Sequence, residues 1–337
     1  MPTPEIDAII WQQAKDLHER HLTLDYEEVD SYYPPQMEAE RDRFGISYTA
    51  LDGATYYVGD HDFAFPLHSI SKVFTYGLAL EDQGRAETLR WVGVEPSGDA
   101  FNSFVFDERN NRPFNPMVNA GALAAANLVR GSTREERVGR ILERLRIYAG
   151  NPDLEVDEEV LDAELHTYND RNLGLSYLMR SLGMLSGDIE ENIETYLSAC
   201  SVRVTSKDLA TMGATLANGG VNPLTGERAL AREHARDVVT VMSTCGMYDA
   251  AGEWAYDVGI PAKSGVSGAI MIAAPNNFGG AFFSPGLDVH GNSVRGVRVC
   301  RDLSERFGLH EYSDPAEERL GGMTAAEWAR AGRGQSG

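Results

Sequence analysis

Segments with the pattern of β-strands occur near both ends of this 337-residue chain, and helical patterns occupy its middle. Near the N-terminus, residues 45–58 alternate polar and apolar positions around Asp52-Gly53, a dipeptide that favours tight hairpins. Near the C-terminus, residues 262–275 indicate a turn leading into a buried strand, and 278–287 indicate a second strand. This distribution predicts an α/β (α+β) fold, in which an antiparallel sheet from the N- and C-terminal segments carries an inserted helical domain.

Helical patterns fill the segment between the two strand regions and flank it. The helix predicted at 205–220 has the clearest boundaries, because Thr205 and Asp208 form a capping-box pattern and two glycines close it. Residues 89–106 lack a helical pattern and are predicted as loops. The other predicted helices lie at 5–23, 69–80, 115–129, 133–148, 229–244 and 292–308, with an interrupted helical segment at 156–185.

Composition and charge exclude several classes of function. With 42% hydrophobic and 24% charged residues the chain has an ordinary globular composition. No apolar run reaches the ~18 residues that span a membrane, and the N-terminus has no secretory signal pattern, so we expect a cytoplasmic protein with no membrane partner. The net charge of -21 argues against nucleic-acid binding. Cys200, Cys245 and Cys300 are far apart, which predicts reduced thiols and neither a disulfide framework nor a zinc site.

A lysine stands inside the apolar stretch "FPLHSISKVFTYGLAL" at residues 65–80. Lys72 follows Ser69 by three positions, so one face of a helix would carry both side chains. Burial lowers the pKa of an amine and lets it accept a proton from a serine. A helix N-terminus near Ser69 would favour an oxyanion. The chain has only four lysines among 30 basic residues, so a retained lysine here suggests a need for an amine.

A second lysine motif, "KSG" at residues 263–265, lies where a turn into a strand is predicted. An SxxK motif followed much later by K-[ST]-G is the signature of penicillin-recognising serine hydrolases. In those enzymes the strand lies beside the serine helix, its backbone N–H completes the oxyanion hole, and its lysine supplies positive potential.

Six further segments have the order and spacing of one family. They are "NPMVNAGA" (115–122), "DRN" (170–172), "TLANGGVNP" (215–223), "CGMYD" (245–249), "PAKSGVSG" (261–268) and "HGNSVRGVRVCRDLS" (290–304). Together they resemble the serine-dependent glutaminases, over about residues 25–310. The resemblance implies a β-lactamase/DD-peptidase-like fold, hydrolysis of L-glutamine to L-glutamate and ammonia, no metal or organic cofactor, and a homo-oligomer, either a dimer or a homotetramer.

The same resemblance implies a domain organisation. One glutaminase domain would span 1–310, and a polar C-terminal tail would span 311–337. Within the domain, a sheet subdomain would comprise about 25–70 and 240–310, and a helical subdomain about 70–240.

The resemblance also implies roles for individual residues. Ser69 would be the nucleophile that forms an acyl-enzyme, Lys72 its general base, and Tyr248 a catalytic side chain near the departing ammonia. The Val266 backbone N–H would pair with that of Ser69 as oxyanion donor. The remaining substrate-binding residues would be Asn119, Asn172, Tyr196 and Glu164, with Tyr32 of "VDSYYPP" closing the site.

Two positions depart from the family pattern. The family usually has Gln before the nucleophile, where this chain has His68, a side chain that helical geometry would point to another face. The family also has Glu seven residues before the Asn of "DRN". Here Leu165 is at that offset and Glu164 is eight residues before, as if one residue were inserted.

Two other functions remain open from the sequence. One is another serine acyl hydrolase of the same fold, such as a β-lactamase or an esterase, although a Ser-Asp-Asn motif is missing. The other is a binding module without turnover. Four of the candidate site residues could also have purely structural roles. Asn119 could cap a helix, Asn172 could be a turn residue, and Tyr196 and Tyr248 could be core aromatics.

Overall fold

One antiparallel sheet combines strands from the N-terminal and C-terminal parts of the chain. The computed structural model describes residues 4–24, 40–100, 102–167 and 169–313. Its five-stranded sheet has the order β2-β1-β7-β6-β5, with β1 pairing antiparallel to β7 so that Thr49 lies opposite Gly279. The strands are β1 (Gly45–Ala50), β2 (Thr55–Gly59), β5 (Ala262–Gly265), β6 (Ala269–Ala274) and β7 (Phe278–Phe283), and β3 (Phe65–Pro66) pairs with β4 (Arg203–Val204) separately. The prediction that N-terminal and C-terminal segments share one antiparallel sheet is confirmed.

Helices cover both faces of this sheet. Helices α1 (Pro4–Leu22) and α12 (Val294–Phe307) pack on one face, and α9 (Ser206–Ala217) packs on the other. Successive residues of β6 therefore enter different cores, Met271 on the α9 side and Ile272 on the α12 side. The polar residues of β1 are buried too, and Ser47 reaches Ser206 with an Oγ–Oγ distance of 2.7 Å.

Two glycines allow α9 to lie directly on the sheet backbone. A Cβ atom on Gly279 of β7 would stand 1.9 Å from the backbone nitrogen of Ala214, and one on Gly213 would stand 2.4 Å from the carbonyl oxygen of Ile272. Only residues without side chains fit such a close approach. The helix therefore forms the central support between the sheet and the helical part of the chain.

The remaining helices lie mostly between β3 and β5 in the chain. The predicted capping box of α9 is present, since the Thr205 side chain accepts from Asp208 N and the Asp208 side chain accepts from Thr205 N. The other helices are α2 (Ser71–Gln83), α3 (Arg85–Trp91), α4 (Asn119–Leu128), α5 (Arg134–Ala149), α6 (Glu158–Thr167), α7 (Asp170–Ser181), α8 (Ile189–Cys200), α10 (Arg232–Cys245) and α11 (Ala251–Asp257), with 3-10 helices at His68–Ile70 and Tyr248–Ala250. No helix of the described residues is long and apolar enough to cross a membrane.

Two local predictions were wrong. Residues 262–275 form a hairpin of two strands, so "KSG" is strand and not turn. The turn comes at residues 266–268, where Gly268 adopts a φ of +91° that side-chain-bearing residues rarely adopt. The first residues of the predicted loop 89–106 belong to α3, a seven-residue helix too short to show periodicity, in which Trp91 Nε1 donates to Glu87.

Candidate active site

Ser69 and Lys72 meet at the start of the first buried helix after β3. Ser69 lies in the 3-10 helix His68–Ile70, which runs directly into α2. The Lys72 Nζ atom donates to Ser69 Oγ at 2.7 Å and to Asn119 Oδ1 at 2.8 Å. The predicted i, i+3 contact is therefore present, and it lies in a protein interior, because Lys72 is 1% exposed.

The surroundings of Lys72 favour its neutral form. Burial lowers the pKa of the Lys72 amine to about 8, and the nearby Cys200 thiol opposes that shift weakly. An amine with a pKa of about 8 is neutral in roughly a tenth of the molecules at pH 7 and in about half at pH 8, against fewer than about one in a thousand at pH 7 for an ordinary lysine. It can therefore accept the proton of the Ser69 hydroxyl that it contacts.

A pair of asparagines extends the contacts of Lys72. Asn119 is the first residue of α4, and its Nδ2 atom donates to Asn172 Oδ1 on α7 at 3.1 Å. Val118 occupies the N-cap position of α4, without a side-chain cap hydrogen bond. The Asn119 side chain is therefore directed to Lys72 and Asn172 and does not cap its helix.

Two tyrosines lie beside the serine and the lysine. Tyr196 of α8 packs in the helical core, with its ring centroid 5.8 Å from Lys72 Nζ. Burial raises the pKa of Tyr196 well above its usual value, and the nearby Glu164 and Tyr248 raise it further. Tyr248 is buried in the 3-10 helix after α10, and its hydroxyl donates to Ser264 O at 3.1 Å.

His68 faces the candidate site, which the helical argument did not predict. Its φ of +44° places it in the left-handed region, so it does not follow the face pattern of α2. Its Nδ1 atom lies 3.7 Å from Glu164 Oε1. Burial and the charge of Lys72 lower the pKa of His68 to about 4, while burial raises the pKa of Glu164. At neutral pH the imidazole is thus uncharged, and the contact is not an ion pair.

Two neighbouring residues of the "ELHTYN" segment, Glu164 and Leu165, have different surroundings. Glu164 of α6 lies near His68 and Tyr196, whereas Leu165 packs against the helical core. Helix α6 ends at Thr167 and α7 begins at Asp170, so this segment lies at the end of α6 and in the short connection to α7.

The strand that carries "KSG" packs against the turn that carries the serine. A Cβ atom on Gly265, the last residue of β5, would stand 3.3 Å from the carbonyl oxygen of Leu67. Val266 follows immediately, at the start of the turn closed by Gly268 N donating to Gly265 O at 3.0 Å. The residue immediately before Val266 therefore packs against the turn that leads into the 3-10 helix of Ser69. Tyr32 lies outside the described residues.

Two side chains next to these residues were not among the predicted site residues. Lys263 is buried with its Nζ atom 4.0 Å from the centroid of the Tyr248 ring. Cys200 lies one turn after Tyr196 on α8, and its Sγ atom is 3.4 Å from Ser71 Oγ. The i, i+4 spacing from Tyr196 was the sequence signal for Cys200. Within the described part of the chain, no cluster of three or more His, Cys, Asp or Glu side chains could hold a metal ion.

Known proteins share this sequence and architecture. The Glutaminase family model matches residues 28–312. A glutaminase of Trichormus variabilis is 50% identical over 311 residues, 92% of this chain and 91% of the relative. Glutaminase 2 of Clostridium perfringens is 45% identical over 288 residues, 85% of this chain and 94% of the relative.

Solved structures agree with the sequence relatives. The crystal structure of Mglu in its glutamate form has a TM-score of 0.82 and 47% identity, and the match covers 89% of this chain and 69% of that one. The structure of a Bacillus glutaminase in 4.3 M NaCl has a TM-score of 0.82 and 32% identity, covering 89% and 99%. The fold is the β-lactamase-like fold that the sequence predicted, and the chain belongs to the glutaminase family.

Proposed function

We propose that this glutaminase hydrolyses the side-chain amide of L-glutamine through an acyl-enzyme on Ser69, with Lys72 as general base. The observation that carries the proposal is the 2.7 Å contact between Lys72 Nζ and Ser69 Oγ in a buried site. A serine hydroxyl is a weak nucleophile until a neighbouring base takes its proton. The neutral amine does so as the Oγ–carbon bond forms on the carboxamide, and an oxyanion develops on the former carbonyl oxygen.

Groups around Ser69 can stabilise the oxyanion and protonate the departing nitrogen. The backbone N–H groups of Ser69 and Val266 serve as oxyanion donors, as the packing of β5 against the serine turn supports. When the C–N bond breaks, the departing nitrogen takes a proton from Tyr248 or Lys72 and leaves as ammonia. Water then attacks the acyl-enzyme, and L-glutamate is released. The proton that Lys72 takes from Ser69 is the one that reaches the departing nitrogen, directly or through Tyr248, and the attacking water later returns a proton to Ser69 Oγ by way of Lys72.

Substrate recognition follows the charges of glutamine. The Glu164 carboxylate binds the ammonium group, and Asn172 holds the amino-acid end of the substrate. Asn119 and Tyr196 line the site near the nucleophile, and Tyr32 closes it. A carboxylate in a partly buried site discriminates strongly for an ammonium, because either charge alone there would be costly.

The test compares ammonia release from L-glutamine, L-asparagine and D-glutamine by the purified chain. We expect turnover of L-glutamine, and a loss of at least about a thousandfold in Ser69→Ala. Ser71→Ala is the matched control, since Ser71 is a buried serine two residues further along, at the start of α2, and it contacts Cys200 instead. Turnover of nitrocefin or p-nitrophenyl esters without turnover of glutamine would identify another serine acyl hydrolase of this fold.

We further propose the cytoplasmic location, the homo-oligomer and the two subdomains expected above. The oligomer, a dimer or tetramer, is supported by family membership. Light scattering after size exclusion at several concentrations tests it, and a monomer at all of them would contradict it.

A further inference from the structure

The lysine of "KSG" lies inside the candidate site without touching Ser69. Lys263 is completely buried on β5, opposite Met271 of β6. Met271 belongs to the core on the α9 side of the sheet, so Lys263 points to the side on which Lys72 lies. The neighbouring Ser264 is opposite Ile270 and faces the other core.

One carbonyl group joins Lys263 to Tyr248. The Lys263 Nζ atom donates to Ser264 O at 2.7 Å, and the Tyr248 hydroxyl donates to the same oxygen at 3.1 Å. The Nζ atom also lies 4.0 Å from the centre of the Tyr248 ring. The Tyr248 side chain is therefore held at two places. The Lys263 amine lies over the face of its ring, and its hydroxyl donates to the Ser264 carbonyl oxygen, which also accepts from the Lys263 amine.

The backbone of Tyr248 makes such support necessary. Tyr248 has a φ of +57°, in the left-handed region that non-glycine residues rarely occupy. A residue in this conformation persists only where its surroundings hold it there. The Tyr248 side chain, which is buried and contacts Lys263 and the Ser264 carbonyl, contributes to that hold.

Lys263 is suited to act as an uncharged donor. Among the described residues no carboxylate forms an ion pair with it, and its side chain has no exposed surface. Burial and the neighbouring Lys72 lower the pKa of Lys263 well below its usual value. A proton on the neighbouring Lys72 therefore disfavours a charge on Lys263, in addition to the effect of burial. An arginine would remain charged there.

We propose that Lys263 is a positioning residue for the glutaminase reaction, which acts through Tyr248 and does not contact the substrate. It holds the Tyr248 hydroxyl where that group delivers a proton to the departing nitrogen. This inference rests on the proposed function. It predicts that Lys263 matters most when the leaving group needs a proton, as ammonia does, and least when it does not.

The test is Lys263→Met, measured with two substrates. With L-glutamine we expect kcat to fall about a hundredfold, with KM changed less than about threefold. With the γ-p-nitrophenyl ester of L-glutamate, whose leaving group departs without a proton, we expect a loss of less than about fivefold. Equal losses on both substrates would show a general structural role and overturn the proposal.

A double variant tests whether Lys263 acts through Tyr248. If it does, Lys263→Met in the Tyr248→Phe background lowers kcat little further; if the two losses multiply, the proposal is wrong. Lys207→Met is the matched control, because Lys207 also lies over a tyrosine ring, that of Tyr57 at 5.4 Å, but on the surface.

Two results separate this proposal from the proposed function. Ser69→Ala should lose both substrates, and a wild-type chain without glutamine turnover would refute the proposed function itself. Should Lys263→Met not fold, Lys263→Leu, which likewise removes the N–H donor, allows the same two-substrate comparison.

Discussion

At the scale of one residue, the catalytic role proposed for Lys72 opposes the stability of the fold. Its folded pKa is about 8 against an ordinary value of 10.5. In the unfolded chain the amine binds a proton below about pH 10.5, and in the folded chain only below about pH 8. Burial of this amine therefore costs no stability above the unfolded pKa of 10.5. The cost grows as pH falls towards the folded pKa of about 8 and is complete below it. At neutral pH the burial costs about 3 kcal/mol.

Lys72→Met should therefore remove activity and stabilise the fold. Methionine fills a similar volume and carries no charge that burial penalises. We expect glutamine turnover to fall at least about a thousandfold and the free energy of unfolding at pH 7 to rise by about 1–3 kcal/mol, less than the full penalty because two hydrogen bonds are lost. Denaturant unfolding measures the change, with Lys207→Met as control. A destabilised Lys72→Met would mean that its hydrogen bonds to Ser69 and Asn119 outweigh the burial penalty.

The pH dependence of turnover should follow the same group. The base must be neutral, so kcat/KM should rise about tenfold per pH unit below pH 8 and level off above it. His68 stays neutral above a pKa of about 4 and adds nothing to this rise. Protonation of Glu164, whose pKa burial raises, should instead raise KM at acidic pH.

A control distinguishes Lys72 from His290, a partly buried group that also titrates. Burial lowers the pKa of His290, but the hydrogen bond and charge of Asp249 outweigh that effect and raise it. His290→Gln should leave the alkaline rise unchanged. A profile that is flat between about pH 6 and pH 9 would exclude Lys72 as the titrating base.

The sequence predicted contacts within one helix better than contacts across the fold. Ser69 and Lys72 share a helix turn, so their spacing was enough to predict the contact. His68 was placed wrongly, because its left-handed backbone is set by tertiary packing and not by its neighbours in sequence. The contact of Lys263 with Tyr248 depends on how β5 packs beside the 3-10 helix, which no spacing rule gives.

At the scale of elements, long periodic segments were predicted well and short ones were not. The hairpin at Asp52-Gly53, the helices α5 and α9, and the strand β7 all had strong local signals. The hairpin of β5 and β6 was missed because both strands are buried on both faces, which removes the alternation that marks a strand. The extent of α3 was missed because seven residues are less than the window that periodicity needs.

The contact between α9 and the sheet can be tested by one methyl group. Gly279→Ala would place a Cβ atom 1.9 Å from Ala214 N and 2.2 Å from Ala210 O, both backbone atoms that cannot move independently. We expect α9 to be pushed from β7 and the free energy of unfolding to fall by about 2–4 kcal/mol. Denaturant unfolding measures the loss.

A glycine in open space provides the matched control. Gly139 lies within α5, and a methyl group added there would meet no atom within 4 Å, so Gly139→Ala should be neutral or stabilise by up to about 1 kcal/mol. Equal stabilities for Gly279→Ala and the wild type would show that α9 can shift from the sheet without cost.

At the scale of the whole molecule, the candidate site exists only because distant segments converge. Ser69, the proposed nucleophile, lies on the turn that leads into α2. The residues around it come from α4, α6, α7, α8, the segment after α10 and the strand β5. Pattern arguments predict each element but not their arrangement, since packing of several helices admits more than one topology. Family resemblance supplied that arrangement, and the matching solved structures confirm the fold.

The overall charge makes a prediction that belongs to the molecule as a whole. At a net charge of -21, the acidic side chains repel one another in the compact folded state, and salt screens this repulsion. Salt also weakens ion pairs such as Lys207–Asp62 and Arg43–Asp60, but exposed pairs contribute little each. The excess of 51 acidic over 30 basic residues decides the sign, because even if every basic residue paired with one acidic residue, 21 negative charges would still be in excess.

We therefore expect the melting temperature to rise by a few degrees when NaCl increases from about 20 mM to about 200 mM, over which the screening length falls from about 20 Å to about 7 Å. The rise should flatten at higher concentration, because the screening length is then already shorter than the spacing of surface charges. Differential scanning calorimetry at pH 7 measures it. Repeating the scans near the isoelectric point of 4.7 provides the control, since the net repulsion has vanished there and the rise should vanish with it. A melting temperature that falls with salt at pH 7 would mean that the ion pairs, and not the excess negative charge, dominate the electrostatics of the folded chain.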